Sequence, residues 1–163
     1  MSASVKISPS DWLAQAEKLQ PETIALRRAI HEEPELGLFT PKTTQKAKAA
    51  LKGLPLTIKE GPSTTGFVAI LEGARPGPTV LLRGDMDALP MPEDAEVSFK
   101  SRIAGAMHAC GHDSHTAMLA SAAKILCAQR SQLSGQVMFM FQPGEEGWHG
   151  ARFMLEDGLL VDP

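Results

Sequence analysis

Gln136-Val137-Met138-Phe139-Met140-Phe141 runs directly into Gln142-Pro143-Gly144-Glu145-Glu146. The first six residues are apolar almost without interruption, and a Pro-Gly pair ends them. A short, continuous apolar run bounded by turn residues is the pattern of a strand covered on both faces. Two earlier runs read the same way: Gly66-Phe67-Val68-Ala69-Ile70-Leu71 and Thr79-Val80-Leu81-Leu82-Arg83. Between 79–83 and 136–141 lies Thr116-Ala117-Met118-Leu119-Ala120-Ser121-Ala122-Ala123-Lys124-Ile125-Leu126, which predicts a helix over 114–130 with Asp113 or Ser114 as its cap. Strand, helix-bearing connection and strand together define the fold class as α/β, a mixed, largely parallel sheet flanked by helices.

Outward from this unit, residues 10–33 read as a helix started by Ser10 or Asp11, with Pro21 marking a break or second start. Pro34 and Gly37 end it. His31, beside Glu32 and Glu33, is read as a partner of that helix's C-terminus. A second helix is expected from Pro41 to Leu51 and a last one from Trp148 to Asp157. Cys127, inside the 114–130 pattern, is expected to be buried packing.

The chain has 163 residues, enough for one ordinary domain, and 43% of them are hydrophobic. Its net charge of −3 and lack of a basic run give no footing for a nucleic-acid partner. No stretch approaches the length of a membrane span. Met1-Ser2-Ala3-Ser4-Val5-Lys6 lacks the apolar core of a signal peptide, so a cytoplasmic location is expected. Two cysteines are too few for a disulfide framework.

In an open α/β sheet, ligands bind beyond the carboxyl ends of the strands. Gly84-Asp85-Met86-Asp87 follows one predicted strand, and Glu145-Glu146 follows another. Asp85 and Asp87 alternate, so one can approach a ligand while the other orients it. Between them in the chain lies Met107-His108-Ala109-Cys110-Gly111-His112-Asp113-Ser114-His115, with three of the five histidines. Imidazole, thiolate and carboxylate together are a donor set for zinc-like ions. Cys110 and His112, two apart, fit a loop bending at Gly111 rather than one face of a helix. A cap for the histidines, an acidic turn for the aspartates and an acidic helix start for the glutamates are the bland readings. The joint placement of the three clusters favours a metal site. A Cys110–His112 nucleophile is disfavoured, because nearby carboxylates repel a thiolate. Arg83-Gly84-Asp85 ends an apolar strand and is not displayed as an adhesion tip.

On His31-Glu32-Glu33-Pro34-Glu35-Leu36-Gly37, Arg83-Gly84-Asp85-Met86-Asp87-Ala88-Leu89-Pro90, Met107 to Thr116 and Pro143-Gly144-Glu145-Glu146-Gly147, the sequence resembles the M20 metallopeptidases. It is most similar to their amidohydrolase branch, which includes hippurate, N-acyl-amino-acid and auxin-conjugate hydrolases. The resemblance implies a zinc-peptidase-like catalytic domain in which Cys110, His112 and Glu146 are metal ligands. Glu145 is then the general base and Asp87 a supporting catalytic aspartate. It further implies two divalent ions per complete site (zinc, manganese, cobalt or nickel) and a small N-acyl amino acid as substrate, hydrolysed by metal-activated water. Asp85 stands where other branches carry a metal-binding histidine, and His115 and His149 are the other candidate donors. His149 is read as a surface or substrate-side residue. Residues 1–163 are expected to be the N-terminal portion of the catalytic domain, without the dimerisation or lid domain and the C-terminal part. The full-length form is expected to be a homo-oligomer. The alternative is a truncated, non-catalytic metal- or ligand-binding fragment.

Overall fold

Successive side chains of a strand face opposite ways, and in the two central strands of this protein both directions are covered. The computed structural model describes residues 8–160. In order they form α1 (Pro9–His31), α2 (Pro41–Ala50), β1 (Thr57–Glu60), β2 (Phe67–Glu72), β3 (Arg75–Asp85), α3 (His112–Ala128), β4 (Ser134–Gln142) and α4 (Gly150–Glu156). The sheet order is β1-β2-β4-β3. Phe67, Ala69 and Leu71 of β2, with Phe139 and Phe141 of β4, pack toward α2 and α3. Val68, Ile70, Met138 and Met140 face the other way, against Met154 and Leu159. The register Phe67↔Phe141 stacks two rings with centroids 4.5 Å apart. This double coverage is why the runs are continuous rather than alternating.

The sheet is mixed, as expected, although of its three pairings only β3 with β4 is parallel. β1 has no counterpart in the sequence reading, because Thr57-Ile58-Lys59-Glu60 is a mostly exposed edge strand with a single large apolar residue. The expectation of two-sided cover fails for β3. Val80 is 51% and Leu81 46% exposed, because β3 is the outer strand next to β4. Its buried part is the end, Gly84-Asp85.

The cap of α1 lies two residues before the expected Ser10. It is Ser8, and the Asp11 carboxylate accepts the Ser8 N–H at 3.0 Å, closing a capping box. Pro21 does not break the helix. It is exposed, and the opposite side is held to α3 by Thr23 Oγ1 on Ser121 Oγ (2.6 Å), Gln129 on Gln15 (3.1 Å) and a Lys124–Glu22 ion pair. Tertiary contacts here outweigh the one missing backbone bond. Cys127 is partly buried against the core. No helix among the described residues is long and apolar enough to cross a membrane.

The exposed apolar outer strand has a consequence for the isolated chain. Residues 1–163 should self-associate with rising concentration in sedimentation velocity runs, and Val80→Lys with Leu81→Lys should shift them toward monomer.

Candidate metal centre

β3 and β4 are parallel and end side by side, with Asp85 paired to Gln142. The chain leaving each strand therefore enters the same space. α3 reaches that space because Gly84 has no side chain: a Cβ there would lie 3.0 Å from the His115 carbonyl oxygen. Thr116 Oγ1 donates to the Asp85 carbonyl at 2.7 Å and pins the first turns of α3 to the end of β3. α3 starts at His112, not at 114, and neither Asp113 nor Ser114 is its N-cap. That position is Gly111, at φ +89°, with no side-chain cap. The bend between Cys110 and His112 thus falls at Gly111, as the spacing required.

Asp87 organises the centre and is fully buried. Its carbonyl accepts the His112 Nδ1–H at 2.7 Å. Its carboxylate accepts the backbone N–H of Glu145 at 2.9 Å through Oδ1 and that of Glu146 at 3.1 Å through Oδ2. Burial alone would raise the Asp87 pKa. The His112 ring and the two amide donors more than offset it and hold the carboxyl below its ordinary range. With Nδ1 committed as donor, His112 presents the Nε2 lone pair to the centre.

Around that nitrogen stand Asp85 Oδ2 at 3.7 Å, Glu145 Oε2 at 3.8 Å and Glu146 Oε1 at 3.8 Å. Donor atoms of Cys110, His112 and Glu146 all lie within 4.8 Å of one another, and so do those of Asp85, His112 and His115. His115 Nδ1 is 3.2 Å from Asp85 Oδ2, while Asp85 Oδ1 is ion-paired with Arg83. Glu146 Oε1 is buried and accepts no hydrogen bond. The Cys110 thiol is pushed up by its hydrogen bond to Glu146, then by burial and by the charges of Glu146, Glu145 and Asp85. For His112, burial lowers the pKa, but the Asp87 side chain and carbonyl and the charge of Asp85 raise it above the ordinary value. Both shifts state that this pocket is rich in negative charge and stabilises positive charge. An orphaned carboxylate oxygen, a thiol and an oriented imidazole at such separations fit a divalent cation with nitrogen, sulfur and oxygen ligands.

Residues 143–149 do not form the acidic helix start that is the bland reading of the glutamate pair. α4 begins at Gly150, so the two glutamates sit on a loop. His149 precedes α4 with φ 56° and is exposed, away from both donor groups. His31 is a correction. It lies in the last turn of α1 as read, but its partners are not that helix's C-terminus. Nδ1 lies 2.7 Å from Asp113 Oδ2 and Nε2 3.0 Å from Glu93 Oε1. The contact with Asp113 spans 82 positions, which no local pattern signals. Glu93 and Arg27 were likewise missed. His108, behind the cluster, is 3% exposed with neither ring nitrogen hydrogen-bonded, and burial lowers its pKa to about 4.

Strand-end carboxylates, a Cys/His loop and a helix N-terminus converge on one point of an α/β sheet and form a donor set suited to a divalent cation. Residues 81–163 match peptidase family M20/M25/M40, and the chain belongs to that family. It is 42% identical over 153 residues to thermostable carboxypeptidase 2 of Saccharolobus solfataricus, covering 92% of this chain and 36% of that protein. It is 43% identical over 148 residues to IAA-amino acid hydrolase ILR1-like 5 of Arabidopsis thaliana, covering 91% and 34%. Among solved structures, the Bacillus subtilis YXEP protein, described as a dinuclear metal binding peptidase of the M20 family, superposes with a TM-score of 0.84 at 40% identity, covering 89% of this chain and 41% of that one. The chain thus spans about a third of the length of these curated relatives.

Two outcomes follow from the geometry. Asp87→Asn leaves one of two buried amide donors facing an NH2 group, and urea unfolding should show a loss of about 2–3 kcal/mol. His108 takes up a proton near 6.5 when unfolded but only near 4 when folded. Between those values the unfolded chain binds more protons, so stability of the metal-free protein should fall as pH drops from 6.5 toward 4. The full effect is about 3 kcal/mol, and His108→Phe should flatten that acid limb of the melting profile.

Proposed function

We propose that this chain carries the main chemistry-bearing segments of a metal-dependent amidohydrolase acting on N-acyl amino acids or similar small amide conjugates. Cys110, His112 and Glu146 are the proposed ligands and Glu145 the proposed general base. The observation that carries the reading is the different placement of the two adjacent glutamates. Glu146 belongs to the donor cluster and is mostly buried, while Glu145 lies outside it, is 42% exposed and still holds Oε2 3.8 Å from His112 Nε2. A pure binding site has no use for a second, solvent-facing carboxylate beside the ligand. The substrate class is supported by the relatives, since a carboxypeptidase and an IAA-amino acid hydrolase both name cleavage of an amide whose amine side is an amino acid.

A divalent cation in this site supplies Lewis acidity toward water and toward the amide carbonyl. Glu145 accepts a proton from the attacking water and returns it to the departing amine nitrogen, so one carboxylate acts first as base and then as acid. Asp87 keeps both glutamates facing the cluster by holding their backbone amides. The products are a carboxylic acid and a free amino acid. The competing reading is a binding fragment without turnover, favoured by the share of its relatives' length that the chain spans.

Hydrolysis of N-acyl amino acids with added zinc, manganese or cobalt separates the two. Glu145→Gln should lower turnover by about 10²–10⁴-fold with cation affinity little changed. Undiminished turnover in that variant would remove Glu145 from the mechanism, and tight cation binding with no turnover in the unsubstituted chain would establish the binding module.

A further inference from the structure

Behind the cluster, a second group of charges is closed off from solvent. His31 is 3% exposed and Asp113 0%. Both ring nitrogens of His31 face carboxylate oxygens, Asp113 Oδ2 at 2.7 Å and Glu93 Oε1 at 3.0 Å. Arg27 Nε approaches the same Asp113 oxygen at 2.6 Å, and the other Glu93 oxygen takes the Ser101 N–H at 2.6 Å. Phe99 packs edge-on to His31 with centroids 5.4 Å apart.

The group joins three segments: the end of α1, the loop holding Glu93 and Ser101, and the first turn of α3. Its third anchor is Asp113, the residue after His112, whose Oδ1 accepts the Ser114 N–H at 2.8 Å. α3 has no side-chain cap, and the hinge between Cys110 and His112 is a glycine in the left-handed region. The angle between the two donors is therefore set from outside the hinge. Buried ion pairs add little net stability over apolar packing of the same shape, whereas they fix orientation.

We propose that His31 is a positioning residue for the metal centre: through Asp113 it locks the first turn of α3, and so the relative placement of the Cys110 and His112 donors. This rests on the metal reading given above. A ring that touches no ligand should then act like the outer partners of other metal sites, whose loss weakens binding about 10–100-fold.

The test uses the full chain loaded with Co²⁺ alone. Affinity is read by chelator competition, and the thiolate-to-cobalt charge-transfer absorption reports the Cys110 bond. His31→Phe should bind Co²⁺ about 10–100-fold more weakly with a shifted or diminished band, and His31→Gln, which keeps one donor, should fall between. His31→Phe combined with Asp113→Asn should lose less than the two single losses added together, because both act through one contact. A folded His31→Phe or His31→Gln protein with a lower melting temperature but unchanged affinity and band would overturn the proposal, leaving the metal reading intact. Failure of the unsubstituted chain to bind Co²⁺ would overturn the metal reading and this inference with it.

Discussion

The contact on which the rest of this protein depends is made by one buried residue using both its main chain and its side chain. Asp87 gives its carbonyl to His112 and its two carboxylate oxygens to the amides of Glu145 and Glu146. Three segments that leave the sheet separately are thereby held in register to within a hydrogen bond's tolerance. A side-chain substitution at this point would release the glutamate loop, while the main-chain carbonyl would still hold the imidazole tautomer. The parallel pairing of β3 with β4 makes the arrangement possible, since it ends both strands at the same edge of the sheet.

Charge is distributed in two contrasting groups around α3's first turn. On the solvent side, Asp85, Glu145 and Glu146 crowd one imidazole, and the Cys110 thiol is driven toward its protonated form. Such a cluster is unfavourable without positive charge between its members. On the inner side, Arg27, His31, Asp113 and Glu93 contact one another, and the Glu93 carboxyl stays below its ordinary range although burial opposes this, because Ser101 and His31 hydrogen-bond to it. The inner group is complete in itself, whereas the outer one invites a cation.

The sheet shows the same asymmetry. β2 and β4 are sealed on both faces, so their apolar side chains stabilise the fold by roughly 1.5–3 kcal/mol each. β3 is paired to β4 along its length but is largely exposed, and it is buried only at its end, at Gly84 and Asp85.

Much of this was legible in the residues alone. The strands at 66–71 and 136–141, the crossover helix, the turn at Gly111 and the convergence of three acidic and Cys/His segments all follow from local pattern, because burial on two faces, helical periodicity and strand-end placement leave marks within a few residues. The last helix starts at Gly150 rather than Trp148, two residues later than the sequence pattern predicts, since the left-handed backbone at His149 leaves no mark in the local pattern. The exposure of Val80 and Leu81 was also hidden, because strand order is not written in any one strand. What the tertiary structure alone decided is partnership across long separations. That His31 faces Asp113 and Glu93, and that Asp87 grips His112 on one side and two glutamate amides on the other, depends on where packed elements bring distant residues, and partners 25 to 82 positions apart carry no mutual signal in sequence.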